Sequence, residues 1–175
     1  MLGLGGTQIL AYVAALGLAA AIPGPGMTAL VARSVSSGAA TGFALLAGLI
    51  LGDLIYLSIA VFGLAWVAHA HTALFVWINW AAAGYLCLLA AQFWRHQPQA
   101  LSLGQKATAR TLAAAWLSGF TITLGNPKTM AFYLAILPLM LAVDAISMRL
   151  WAMLLVPLTI AVLLAVGSVF ILAAL

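Results

Sequence analysis

Apolar residues run in five long stretches along this chain, parted by short polar punctuation at 34–40, 69–72, 96–110 and 143–149. Each stretch reaches the roughly 20 residues a helix needs to cross a hydrocarbon core. The pattern predicts membrane spans near 7–33, 40–67, 73–94, 111–141 and 150–175. The first and fourth exceed a straight crossing, and proline interrupts both. The interruptions read Ile22-Pro23-Gly24-Pro25-Gly26 and Gly125-Asn126-Pro127-Lys128. Inside a bilayer no water satisfies backbone groups freed by proline. Unwound chain at that depth therefore sits within protein or lines a wet cavity. Interruptions at corresponding positions of two halves point to a transporter's binding site.

Aligning Pro25 on Pro127 repeats the order apolar helix, break, apolar helix, with Gly26–Val31 set against Lys128–Tyr133. The predicted spans that separate the two breaks give the repeats opposite orientation in the membrane. The expected fold is an all-α integral membrane protein of about five transmembrane helices, the first and fourth broken at proline. Residues 1–97 form a first three-helix repeat, 98–110 a polar cytoplasmic connection, and 111–175 a partial second repeat of two helices. The inverted 3+3 repeat is thus incomplete, lacking a sixth helix.

Composition agrees with the bilayer reading: 67% hydrophobic residues, 5% charged and a mean hydropathy of +1.25, where a soluble domain carries about a quarter charged residues. The net charge of +4 comes from six scattered Lys and Arg against two Asp. Without a run or an aromatic-interleaved patch, it does not suggest nucleic-acid binding. The cations inform topology instead. Arg33 flanks the first connection, and Arg95, Lys106 and Arg110 lie in or beside the third. The positive-inside rule puts those connections in the cytoplasm and the N-terminus outside. No Lys or Arg precedes Arg33, so the positive region of a secretory signal is missing and the first stretch reads as a retained helix. All six Trp residues fall near predicted span ends, as in an interfacial belt. Cys87 has no partner cysteine and reads as packing. His69 and His71 lack further ligands, so no metal site is expected.

Two opposite charges are predicted at central depth. Asp53 sits midway along the second span, and Lys128 follows the second break. A carboxylate there costs about 2.5–3.5 kcal/mol on insertion scales, which makes it a functional-site hypothesis by default. A structural ion pair between two helices is one reading. The sharper one makes Asp53 a protonation or coupling site, and Lys128 a charge partner or an anchor for a substrate carboxylate. Ala44, Gly48 and Gly52 recur every four residues, a small-residue face for close packing, either internal or between subunits. Pro138 and Pro157 read as kinks.

In order and spacing the chain resembles the lysine/homoserine exporter (LysE/RhtB) family of bacterial amino-acid efflux proteins. The matching stretches are Pro23-Gly24-Pro25, Gly52-Asp53-Leu54-Ile55-Tyr56, Ala83-Gly84-Tyr85-Leu86, and Asn126-Pro127-Lys128 through Leu137-Pro138. The resemblance implies a multi-pass secondary exporter of the bacterial inner membrane, driven by an ion gradient and needing no cofactor. It makes Pro23, Gly24, Pro25, Gly26, Asp53, Asn126, Pro127 and Lys128 the candidate pathway residues. The family commonly carries an acidic or amide residue where this chain has Gly26, which shifts the coupling burden onto Asp53. Members also usually run longer, with a sixth helix.

The leading expectation is ion-coupled export of amino acids or related small metabolites by alternating access. The partners would be an amino acid, a proton or sodium ion, the lipid bilayer and a second copy of the chain in a homodimer. The alternative is a non-transporting or truncated membrane subunit that needs a partner chain. Two distant carboxylates and no Ser/His constellation leave little for enzymatic chemistry.

Overall fold

The computed structural model describes residues 4–63, 80, 108–143 and 146–175. The expected third span, its Ala83-Gly84-Tyr85-Leu86 motif, Cys87, the histidine pair and nearly all of the connection at 98–110 lie outside these residues. Among the described residues every element is helical. In chain order they are α1 (Gly6–Ala21), α2 (Pro25–Ser37), α3 (Ala39–Gly63), α4 (Ala109–Leu124), α5 (Pro127–Met140) and α6 (Met148–Ala173).

Two of these, α3 with 25 residues and α6 with 26, are long and apolar enough to cross a membrane singly. Helices α1 and α2 pass the same test only together, bent by 57° at their break. The expected fourth span divides likewise into two shorter apolar helices, α4 and α5. Large apolar side chains stand exposed on the outer helices, among them Leu10, Leu18, Met153 and Leu172. A soluble protein rarely presents so much contiguous apolar surface. The chain is an all-α membrane protein.

Local chemistry sets the helix ends. Only Gly38 separates α2 from α3; its φ of +83° makes the reversal, a conformation glycine adopts without a Cβ penalty. Thr108 caps α4 by accepting from the Thr111 N–H at 3.2 Å, and Ser147 caps α6 by accepting from the Leu150 N–H, also at 3.2 Å. The kinks expected at Pro138 and Pro157 take a definite form. Each is preceded by one wide π-helical segment, Phe132–Ile136 and Trp151–Leu155. A proline ring clashes with the carbonyl four residues back. Those carbonyls belong to Leu134 and Met153, inside the two widened segments.

Helix α3 is central: 56% of its most apolar window is buried, against 28% for α6. It packs chiefly on α4, and glycine makes the approach possible from both sides. A Cβ on Gly48 would strike the Trp116 carbonyl, and one on Gly119 the Leu45 carbonyl. One turn on, a Cβ at Gly52 would lie 2.6 Å from Thr123 Cβ, and the Thr123 hydroxyl donates to the Leu49 carbonyl at 3.2 Å. The small-residue face is therefore internal. Helix α6 crosses behind, with Gly167 against Leu46, and also packs on α1.

Candidate functional site

The first break forms because Pro23 and Pro25 have no N–H to continue the helical ladder. Helix α1 ends with the Ile22 N–H on the Leu18 carbonyl at 3.0 Å. Helix α2 restarts with Pro25 as its first residue, a position whose N–H would be unpaired anyway. Its first backward bond joins the Thr28 N–H to the Gly24 carbonyl at 2.9 Å. The amides of Gly26 and Met27 thus stand ahead of the ladder, at the positive end of the helix dipole.

The second break repeats this local plan. Helix α5 also begins on proline, Pro127. Asn126 caps it by accepting from the Lys128 N–H at 3.0 Å. That bond takes the N–H that a continuous helix would give to Leu124, so the Leu124 carbonyl is freed. Tyr56 of α3 restores the missing donor, its hydroxyl reaching Leu124 O at 2.5 Å. Replacing Tyr56 by Phe leaves that carbonyl without this donor at membrane depth. We expect a loss of about 1 kcal/mol, in the upper range for side-chain hydrogen bonds in membrane proteins. Thermal unfolding of the purified protein in detergent measures it, and an unchanged midpoint would show the tyrosine bond to be dispensable.

The two breaks meet. Lys128 Nζ donates to the Ile22 carbonyl at 2.5 Å, so the cation of the second break satisfies a backbone oxygen freed in the first. Lys128 and Asp53 act on each other electrostatically, yet they close no ion pair within 4.0 Å. The structural ion-pair reading is not what the geometry contains: the lysine is engaged by backbone, and Asp53 borders a space shared with both breaks.

That space is a cavity of about 60 Å³, several times the roughly 10–15 Å³ that admits one water. Gly24 and Gly26 from the first break, Asp53 from α3, and Asn126 and Lys128 from the second break all line it. Five of the eight positions singled out in the sequence are thereby gathered at one place. Pro23, Pro25 and Pro127 are not among the lining residues; they shape the breaks that carry it. Thr123 and Thr129 add polar groups, and Leu16, Leu46, Leu49, Ile50, Phe132 and Leu163 supply apolar walls. At Gly26 an added Cβ would lie 3.2 Å from a Leu49 methyl, so a side chain there competes with α3 packing.

The bond that Tyr56 makes at the second break, together with Thr123, Tyr12 and Tyr133, escaped the sequence reading. Tyr12 of α1 and Tyr133 of α5 are fully buried. The signal was present: a hydroxyl within an apolar span must find a partner, because lipid offers none.

The family model described as LysE type translocator matches residues 17–175. An uncharacterized membrane protein of Synechocystis sp. is 31% identical over 147 residues, covering 84% of this chain and 71% of the relative. Another of Pseudomonas aeruginosa is 26% identical over 136 residues, covering 75% and 63%. The chain thus spans under two thirds of the length of that second relative. No solved structure matches. With two helices broken on proline around a charged cavity, and a family match over almost its whole length, the chain belongs to the LysE type translocators, a family of membrane transporters.

Proposed function

We propose that this protein exports zwitterionic amino acids, or closely related metabolites, across the bacterial inner membrane by ion-coupled alternating access. The observation that carries the reading is the placement of opposite charges around one cavity between the two breaks. The cavity is lined by Lys128 and by residues at the N-termini of α2 and α5, whose dipoles favour a carboxylate. Asp53 lines it too, the acidic group available to a substrate ammonium. A free amino acid carries both complementary charges on one carbon.

One carboxylate cannot hold a substrate ammonium and a coupling cation at once. Asp53 therefore releases its proton or sodium ion to accept substrate, and releases substrate to accept the ion. Exchange rather than co-transport follows from that competition, and an inward ion gradient then drives export. The two repeats, 1–97 and 111–175, rock about the cavity, with the connection at 98–110 in the cytoplasm and the N-terminus outside. The Lys128 bond to Ile22 is a contact between the two repeats that such rocking would make and break.

The test is efflux from proteoliposomes preloaded with a panel of labelled amino acids, their decarboxylated amines and their N-acetyl derivatives, under imposed proton or sodium gradients. Efflux of at least one free amino acid, with both single-charge analogues of it excluded, is the expected result. Equal transport of the amine or the N-acetyl form would overturn the two-charge reading, and no flux under either gradient would overturn coupled export.

A further inference from the structure

The second break carries more hydrogen-bond donors than the described residues use. Asn126 accepts from the Lys128 N–H through its side-chain oxygen at 3.0 Å. That bond fixes the amide: its oxygen caps α5, and its nitrogen keeps two N–H bonds to give. Among the described residues the nitrogen closes no hydrogen bond. Asn126 is only 8% exposed, and it lines the cavity. Its nitrogen is not one of the sealed polar atoms that lack a partner, so the free N–H bonds open on that space. Buried donors in native proteins are paired, and this one calls for an acceptor that enters the cavity.

Three residues on, Thr129 is in the same condition. At this position of a helix a side chain can bond back to the capping residue's own N–H. Thr111 does so at the start of α4, accepting from the Thr108 N–H at 2.5 Å. At α5 that duty is already taken, because the Asn126 N–H lies on the Thr123 carbonyl at 2.9 Å. The Thr129 hydroxyl closes no hydrogen bond among the described residues, and Thr129 lines the cavity. Lys128, between the two, gives one of its three hydrogens to the Ile22 carbonyl and keeps two. An amide, an ammonium and a hydroxyl from four consecutive residues thus reach one cavity with hydrogens to donate.

We infer that Asn126 and Thr129 bind the substrate carboxylate directly, the amide N–H and the hydroxyl donating to its oxygens beside the Lys128 ammonium. The inference rests on the cavity being the amino-acid site proposed above. It adds what a point charge cannot supply. Lys128 attracts any anion, whereas two neutral donors on one helical turn orient an acceptor that has two oxygens. The Asn126 amide is already held by its cap bond, so little freedom is lost when it binds. A substrate carboxylate satisfies donors that lipid cannot.

Binding is read without a gradient, by calorimetry on the full chain in lipid nanodiscs. The probes are free L-amino acids and the decarboxylated amine of each one that binds. The amine keeps the ammonium for Asp53 and lacks the group that Asn126 and Thr129 would hold. Thr129→Val removes the hydroxyl and keeps the shape. It should weaken the amino acid about tenfold or more, the loss of one hydrogen bond to a charged group, and leave the amine unchanged. Thr129→Ser should restore native binding. Asn126→Asp keeps an oxygen to cap α5 and replaces the N–H donors by a second acceptor. It should erase or reverse the preference for the amino acid over its amine. If that variant fails to fold, the two Thr129 variants decide alone. A preference unmoved in either variant removes that residue from the site, and in both it overturns the inference while export stands. An amine weakened as much as the amino acid in Thr129→Val makes the hydroxyl merely structural and overturns its role too. Binding as expected in a protein that moves nothing across proteoliposomes overturns the export reading alone. A native chain that binds no amino acid overturns both.

Discussion

Asp53→Asn is expected to cut gradient-driven efflux severely while the protein still inserts and folds. The amide keeps the size of the carboxyl and removes its charge, so the apolar walls of the cavity are undisturbed. Membrane insertion does not suffer, because the costly group was the carboxylate, at about 2.5–3.5 kcal/mol near the bilayer centre. On the proposed mechanism, what is lost is the counter-charge for both the substrate ammonium and the coupling cation. Removing one partner from a buried, hydrogen-bonded charge pair costs about 2–5 kcal/mol, a fall in efflux of roughly 30- to 4,000-fold. Initial rates from proteoliposomes under an imposed gradient measure it, with detergent size-exclusion profiles as the folding control. Efflux equal to that of the unaltered protein would remove Asp53 from the coupling role.

How far the site was legible in the chain depends on what each residue answers to. The breaks were readable because proline acts locally: it removes its own N–H and clashes with its own preceding turn, whatever surrounds it. Asp53 was readable because a carboxylate inside an apolar run has a cost that needs no structure to estimate. Gly48 and Gly52 announced a close contact through their spacing, but its partner lies some seventy residues away in α4. Gly119, the reciprocal glycine, has Ala115 and Thr123 four residues to either side, a small-residue spacing that the sequence reading passed over.

The relation between the two central charges was not legible. Sequence placed Asp53 and Lys128 at one depth and left a salt bridge open as an explanation. The structure uses the lysine differently, because Pro23 and Pro25 leave α1 with carbonyls that need donors, and Lys128 reaches one of them. The same demand explains Tyr56, which satisfies Leu124 O at the second break. Backbone groups freed by proline thus recruit side chains from distant helices, and hydropathy carries no trace of that. Tyr12 was hidden for a related reason. In an apolar helix a tyrosine resembles its phenylalanine neighbours, and its hydroxyl matters only once the fold brings other polar atoms to it.

The packing of α3 on α4 carries the second large effect. Gly119→Val is expected to cost more than about 3 kcal/mol, at or beyond the usual upper end for overpacking a core. Magnitude here depends on what the new atoms meet. At Gly167 or Gly52 they meet side chains, which can turn; at Gly119 and Gly48 they meet the backbone carbonyls of Leu45 and Trp116, which cannot. The only relief is separation of the two helices. Separation also draws the Thr123 hydroxyl from the Leu49 carbonyl, and both residues line the cavity beside Asp53. Loss of the folded species and loss of efflux should therefore arrive together. Gly17→Ala is the matched control, since its Cβ would rest 3.9 Å from Val162 in ordinary contact, and it should leave the unfolding midpoint nearly unchanged. Denaturant unfolding of the three proteins in one detergent makes the comparison. A Gly119→Val protein as stable as the control would mean that α3 and α4 do not touch through glycine, and that the small-residue face of α3 serves another surface.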